Sequence, residues 1–168
     1  MMVRLVPKYS ETFVSTLDSR QVMKKLDGIT QWVNFLDRTG TTRQETAVFN
    51  GSLKEDCFRI SKKIDKADSF LPLIKGEVAP LSKGCLISLE YSFFPSTAFL
   101  LGFWGIISFA LTVVFLSVMQ DWKLALTSLL AGMANYGFAF WHFRRKVRES
   151  QALFHEVMGL KAGKNASW

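Results

Sequence analysis

Two long apolar runs dominate the hydropathy pattern of the chain, covering about residues 96–119 and 123–143. The whole segment from Pro95 to Phe143 carries only two charged residues, Asp121 and Lys123, which lie together between the runs. Because an α-helix rises about 1.5 Å per residue, each run is long enough to cross a hydrocarbon core of about 30 Å. The pattern therefore predicts a transmembrane helical hairpin.

A short amphipathic helix is predicted near the amino terminus. Val22, Leu26 and Ile29 share one face at helical spacing. Asp18 or Ser19 precedes them and can cap the first turn, because a short oxygen-bearing side chain accepts hydrogen bonds from its free amides. This helix offers one apolar face to a neighbouring layer.

Alternation of apolar and polar residues predicts strands around this helix. The predicted strands are Glu11–Leu17, Thr46–Leu53, Cys57–Ile64, Leu73–Ala79 and Cys85–Phe93. We place the turn between the second and third strands at Lys54–Asp56, while Asn50-Gly51 is an alternative hairpin turn. Trp32–Leu36 fits either a helical turn or a loop, and Arg38–Glu45 reads as an exposed loop.

These elements predict an α+β membrane protein with a small antiparallel sheet and one or two covering helices, interrupted by the hairpin. Its parts are an α+β domain over residues 1–94, the hairpin over 95–143, and a basic helix and tail over 144–168. The sheet needs a covering layer, which the first helix and a helix at Arg144–Leu160 can supply. In outline the order of elements resembles helix-grip ligand-binding domains, although with fewer strands.

Three short motifs carry a resemblance to a family of proteins. They are Phe49-Asn50-Gly51, Phe58-Arg59-Ile60 and the run Ser69-Phe70-Leu71-Pro72-Leu73-Ile74-Lys75-Gly76, all before the hairpin. This arrangement resembles a family of small, uncharacterised bacterial membrane proteins with two spans, over roughly residues 45–145. The resemblance implies an inner-membrane protein with its small domain in the cytoplasm. It brings no activity, cofactor or catalytic residue.

Charge predicts the orientation in the membrane. Arg144, Arg145, Lys146 and Arg148 directly follow the second span, and basic residues so close to a span mark its cytoplasmic side. Both termini are then cytoplasmic in a multi-pass protein of the bacterial inner membrane. Topology accounts for the net charge of +7, so we expect no nucleic-acid partner. The same four side chains can also contact anionic lipid.

The two spans carry small residues and one amide that suit contact between helices. Asn135 lies near the middle of the second span, where an unsatisfied polar group is costly, and Ser108 or Thr112 of the first span can face it. The small residues assigned to the same contact are Ser128, Gly132, Gly102 and Gly105. The contact joins the two helices of one hairpin, or it joins the hairpin to a second copy or another membrane protein.

Residue types that carry catalysis are sparse and badly spaced. His142 and His155 are the only histidines, and Cys57 and Cys85, expected inside the strands and reduced, make no zinc pattern. Carboxylate pairs lie in predicted turns, and no glycine-rich phosphate loop occurs. We therefore expect no catalytic, cofactor-binding or metal-binding residues, no cofactor and no enzyme activity.

The sequence thus favours a non-enzymatic protein whose cytoplasmic module binds a protein partner or acts as an accessory subunit at the membrane. The alternative is a membrane-tethered module for a lipid or small apolar ligand. A ligand binder would show an apolar cavity of several hundred Å³ between sheet and helix. An interaction module would show a filled core there.

Overall fold

The computed structural model describes residues 8–32, 47–64, 68–159 and 166–167. Its helices are α1 (Ser19–Ile29), α2 (Pro95–Ser117) and α3 (Trp122–Met158). Its strands are β1 (Lys8–Ser15), β2 (Thr30–Trp32), β3 (Phe49–Leu53), β4 (Cys57–Lys62), β5 (Pro72–Pro80), β6 (Cys85–Phe93) and β7 (Ala166–Ser167). The α+β class is confirmed.

Within the described residues, the strands form one sheet in the order β2-β3-β4-β5-β6-β1-β7. Only the pairing of β2 with β3 is parallel, and the other neighbours are antiparallel. The predicted bounds of β6 are confirmed residue for residue, and the turn before β4 lies at Lys54–Asp56, closed by a hydrogen bond from the Lys54 amide to the Cys57 carbonyl oxygen (2.8 Å). Asn50-Gly51 lies inside β3.

Two short strands were not predicted from the sequence. Ala166–Ser167, in the predicted tail, pairs with β1. The segment Thr30–Trp32 is a strand that pairs with β3, because β3 offers it a free edge that no local pattern reveals. The loop predicted at Arg38–Glu45 lies outside the described residues.

The inner face of the sheet packs against the last turns of α3. Phe143, Val147, Phe154 and Met158 are buried there at helical spacing. The Phe154 ring lies at the centre, with its centroid 6.1 Å from that of Phe58, 6.2 Å from that of Phe49 and 6.2 Å from that of Phe13. Helix α1 covers the sheet with Val22 and Leu26, both fully buried.

Helix α3 is longer than the predicted second span, since the span and the expected tail helix form a single helix. Asp121 caps its start by accepting hydrogen bonds from the amides of Lys123 and Leu124. Gly159 ends it in the left-handed conformation, with φ of 68°. Residues 138–158 contain no proline or glycine that would break it, so the helix passes from hairpin to core without interruption.

The hairpin formed by α2 and the first part of α3 leaves most of its apolar surface uncovered. Both helices are long and apolar enough to cross a membrane. In their most apolar stretches only 6% and 11% of the residues are buried. A core helix of a soluble protein with this composition would be mostly buried, because apolar surface is removed from water on folding.

The two cysteines have opposite environments. Cys85 is fully buried, and burial, together with the negative charge of Asp18, raises the pKa of its thiol despite a hydrogen bond with Ser15. Cys57 is exposed, so the expectation that both pack inside is wrong for it. The alternation of β4 buries Phe58 and Ile60 and therefore turns Cys57 outward.

Candidate functional site at the junction of sheet and hairpin

The short segment Asp68–Leu71, before β5, contacts both helices of the hairpin. The Thr97 hydroxyl in the first turn of α2 donates a hydrogen bond to the Ser69 carbonyl oxygen (2.6 Å). The Phe70 ring packs against the rings of His142 and Phe138 in α3, with centroids 5.6 Å and 6.2 Å away. We call Asp68–Leu71 with its contacts on α2 and α3 the junction.

The conformation of this segment follows from its own side chains. The Asp68 carboxylate accepts a hydrogen bond from the Phe70 amide (3.0 Å), which is the local turn that aspartate favours. The backbone carbonyl oxygen of Asp68 accepts a hydrogen bond from the Leu71 amide (3.3 Å). Pro72 then begins β5, a position that a proline tolerates in a sheet. The turn therefore projects Phe70 toward α3.

An ion pair fastens the junction to α3. Lys146 Nζ lies 3.0 Å from Asp68 Oδ2, and both side chains are partly exposed, at 29% and 25%. Burial alone would raise the pKa of Asp68, but the Phe70 amide and the Lys146 ammonium outweigh it and hold that pKa below its ordinary value. The hydrogen bond to Asp68 in turn raises the pKa of Lys146.

The motif from Ser69 to Gly76 can now be read structurally. Its first residues form the junction, and Ile74 is fully buried in the core. A side chain at Gly76 would collide with the Phe58 ring, which lies across it. The motif thus ties the sheet to the hairpin and leaves room for one aromatic ring.

A buried polar cluster lies between β1, β6 and α3. The Glu11 carboxylate accepts hydrogen bonds from the Tyr91 hydroxyl (2.7 Å) and from the Gln151 amide (3.0 Å). His155 Nε2 lies 3.4 Å from the same carboxylate, without hydrogen-bond geometry. Burial and the neighbouring Glu11 raise the pKa of Tyr91. Tyr91 therefore stays a neutral donor that holds Glu11, which is a structural role.

Sequence reasoning missed this cluster. The bonds join residues 80 and 140 positions apart, so no local spacing reveals them. One signal was present: in β1 the positions of Tyr9, Glu11 and Ser15 share the buried face.

The residues predicted for helix contact fall into two groups. Ser128 donates a hydrogen bond to the Ser108 carbonyl oxygen (3.1 Å), and a Cβ at Gly132 would lie 2.8 Å from Ser108 Cβ. A Cβ atom built at Gly102 or Gly105 would have no neighbouring atom within 4 Å. The Asn135 side chain is exposed.

The expected pairing of Asn135 with Ser108 or Thr112 is absent from the described residues, where the Thr112 hydroxyl donates within α2 to Ser108. Three residues at 100° each place Asn135 about 60° around α3 from Gly132, on the flank of the contact. Contact of Asn135, Gly102 or Gly105 with a partner molecule stays a prediction.

The four basic residues after the second span are partly engaged within the chain. Arg145 pairs with Glu149 at 3.3 Å and Lys146 pairs with Asp68. The Arg144 guanidinium lies 5.7 Å from the centroid of the Phe140 ring, and Arg148 is exposed. Their contact with anionic lipid stays a prediction.

Among the described residues, grooves lie on the outer face of the sheet, away from α3, and two of them are lined as follows. The larger, about 630 Å³, is lined by charges of both signs, including Lys8, Lys75 and Glu90. The smaller, about 480 Å³, lies across β3, β4 and β5, and Phe94 lines its end. Among the described residues, no group of three or more His, Cys, Asp or Glu side chains is placed to hold a metal ion.

No protein-family model matches the chain, and no curated protein matches it. A solved structure that it resembles is the solution NMR structure of a Polyketide_cyc-like protein from Corynebacterium glutamicum. The two are 8% identical, with a TM-score of 0.30 over 76% of this chain and 91% of that one. At that level of similarity neither fold nor function is transferred.

Proposed function

We propose that the chain is a two-span protein of the bacterial inner membrane, with both termini cytoplasmic. Its α+β domain acts there, without catalysis, as a protein-interaction module or accessory subunit. The observation that carries the proposal is helix α3, whose first part exposes apolar side chains while its last turns pack into the sheet. Lipid is the solvent that suits the first part.

The orientation is supported by charge at the point where α3 leaves the hairpin. Arg144, Arg145, Lys146 and Arg148 begin the part of α3 that enters the domain, which matches the excess of basic residues on the cytoplasmic side of spans. The tip between the helices, with Gln120 and Lys123, then lies on the other side of the membrane. The domain itself sits against the bilayer surface.

An interaction role is favoured by the dense aromatic packing between the sheet and α3. Phe154 occupies its centre among three other phenylalanine rings, and Phe143 packs against Phe93 with ring centroids 4.1 Å apart. The second candidate function, binding of an apolar ligand, is favoured by the smaller outer groove instead.

The cysteines provide a test of membrane insertion and orientation. Cys57 is exposed on the domain and Cys85 is buried, so a membrane-impermeant maleimide should label Cys57 only after spheroplasts are lysed, and Cys85 only after unfolding. In a Cys57→Ser background, Lys123→Cys at the tip should be labelled before lysis. Labelling of Cys57 in intact spheroplasts, or release of the protein by alkaline extraction, contradicts the proposal.

Purification of the full chain in mild detergent tests the interaction role. We expect a second protein to co-purify in stoichiometric amount, identified by mass spectrometry. Retention of a lipid with no protein would favour the second candidate instead.

A further inference from the structure

We propose that the smaller outer groove binds a single-chain amphiphile with an anionic headgroup, taken from the adjacent leaflet of the bilayer. The inference rests on the proposed membrane insertion of the hairpin. The groove has a volume of about 480 Å³, in the lower part of the range of roughly 300–1,000 Å³ typical of small-molecule sites. That size favours one acyl chain over two.

The end of the groove nearest the hairpin is apolar. Leu73 and Phe94 line it, and Phe94 immediately precedes Pro95, where α2 begins. Phe93 points into the core and is buried, so the alternation of side chains sends Phe94 to the outer face. An acyl chain lying on Leu73 and Phe94 therefore passes directly toward the hydrocarbon around α2.

The other end of the groove carries one cation, Arg59, which also lines the larger groove. The register partner of Arg59 on β5 is Lys75, which lines the larger groove alone. The Lys75 ammonium has Glu90 as a neighbour at 3.9 Å, whereas Arg59 forms no ion pair within the described part of the chain. An exposed guanidinium beside a second cation binds a carboxylate or phosphate well, since its donors match two oxygens at once.

The polarity of the groove has the direction that a lipid requires. Continuing the register of β4 on β5 places Ser61 at the level of Leu73. Arg59 lies two residues from Ser61 along β4, which separates the two Cα atoms by about 7 Å. The charged end is therefore farther from the bilayer than the apolar end. Ser52, Ser61 and Asn50 add polar groups along one wall. A headgroup at Arg59 with its chain directed toward α2 satisfies both ends.

The test uses the full chain in nanodiscs of zwitterionic phosphatidylcholine and a long-chain fatty acid that carries a photoactivatable diazirine. After irradiation, mass spectrometry should place the crosslinks on peptides containing Leu73 or Phe94. The matching fatty alcohol, which lacks the negative charge, should crosslink about tenfold less. Equal crosslinking of acid and alcohol would overturn the proposal.

Two variants test whether the positive charge of Arg59 is needed for binding. Arg59→Gln should weaken binding of the fatty acid about tenfold or more and remove its advantage over the alcohol. Lys54→Gln, which removes an exposed cation outside the groove, should leave binding unchanged. Cys85 must stay unreactive toward maleimide in both variants, which shows that the sheet is intact. Unchanged binding in Arg59→Gln contradicts the proposal.

Two further arms separate other ligands. If inorganic phosphate alone displaces the probe fully, the site recognises a free anion. If native mass spectrometry finds a two-chain anionic phospholipid bound to the protein, the natural ligand is not a single-chain amphiphile. Either result overturns the proposal. Crosslinking repeated in detergent micelles does not depend on orientation in a membrane. Maleimide labelling of Cys57 measures membrane insertion separately, so its failure is distinguishable from failure of this site.

Discussion

The two halves of helix α3 are built for different surroundings. The outer half, residues 122–142, exposes large apolar side chains around much of its circumference, such as Leu130 (54% exposed) and Met133 (63%). The inner half, residues 143–158, buries one stripe that includes Val147 and Phe154 and turns charged side chains such as Arg148 outward. One continuous backbone therefore carries two hydrophobic patterns.

The difference shows what each half needs for stability. The outer half has the all-round apolar surface of a helix that lipid surrounds, and its neighbour α2 covers only a narrow strip. The inner half depends on the sheet, because its stripe is apolar only where strands cover it. Changes in the inner half should therefore alter the free energy of unfolding of the domain, and changes in the outer half should not.

The largest effect is expected at Phe154. Phe154→Ala removes a fully buried ring that packs against three others, and should lower the free energy of unfolding by about 3–5 kcal/mol. The measurement is the rate at which Cys85 reacts with maleimide as denaturant rises, in a Cys57→Ser background.

The matched control is Phe109→Ala in α2, where the ring is 67% exposed. We expect the free energy of unfolding to fall by less than about 1 kcal/mol there, because an exposed ring makes few contacts within the protein. Similar losses in both variants would remove the distinction between the hairpin and the core.

A smaller effect is expected from the polar cluster that orients the inner half. Glu11→Leu leaves the buried Tyr91 hydroxyl and the Gln151 amide without their acceptor, and should cost about 1–3 kcal/mol by the same measurement. Glu11→Gln keeps an acceptor and should cost less. In a Tyr91→Phe background the loss from Glu11→Leu should shrink, because one of the orphaned donors is gone. An unchanged loss there would mean that the cluster does not act as a unit.

The smallest effect is expected at the boundary between the halves. Asp68→Asn breaks the pair with Lys146 and should cost about 1 kcal/mol or less, since both side chains retain some exposure. The lowered pKa of Asp68 means that its contribution is present above its ordinary pKa of about 3.9 and is lost as pH falls through the folded value.

Asp68→Asn should therefore flatten the loss of stability below about pH 4. Glu156→Gln, at an exposed position of α3, provides the control and should keep the acid response of the natural chain. Identical acid profiles for all three proteins would show that Asp68 does not fasten the junction.

Local patterns predicted much of the fold. Alternation located β6 to the residue, and the charged turn at Lys54–Asp56 set the register of β3 on β4. Length and composition located the hairpin helices within a few residues at their starts. These features depend on neighbours in sequence, which is why they can be read without the structure.

The remaining features depend on partners far along the chain. Nothing near Phe70 indicates that its ring meets His142, and the strand at Ala166–Ser167 exists only because β1 offers an edge. The continuation of the second span as a helix beyond Arg144 was predicted and is confirmed, but the packing of that helix on the sheet depends on distant strands. The outer groove arises from side chains of three strands brought together by register.

Neither connection between the sheet and the hairpin contains a linker. Strand β6 ends at Phe93 and α2 begins at Pro95, while α3 runs on to Met158 inside the domain. In a bilayer the domain would therefore keep one height and one tilt, and would diffuse only in two dimensions within a thin layer beside the membrane. Partners confined to the same membrane would meet it at a raised effective concentration, so that even modest affinities would suffice for assembly.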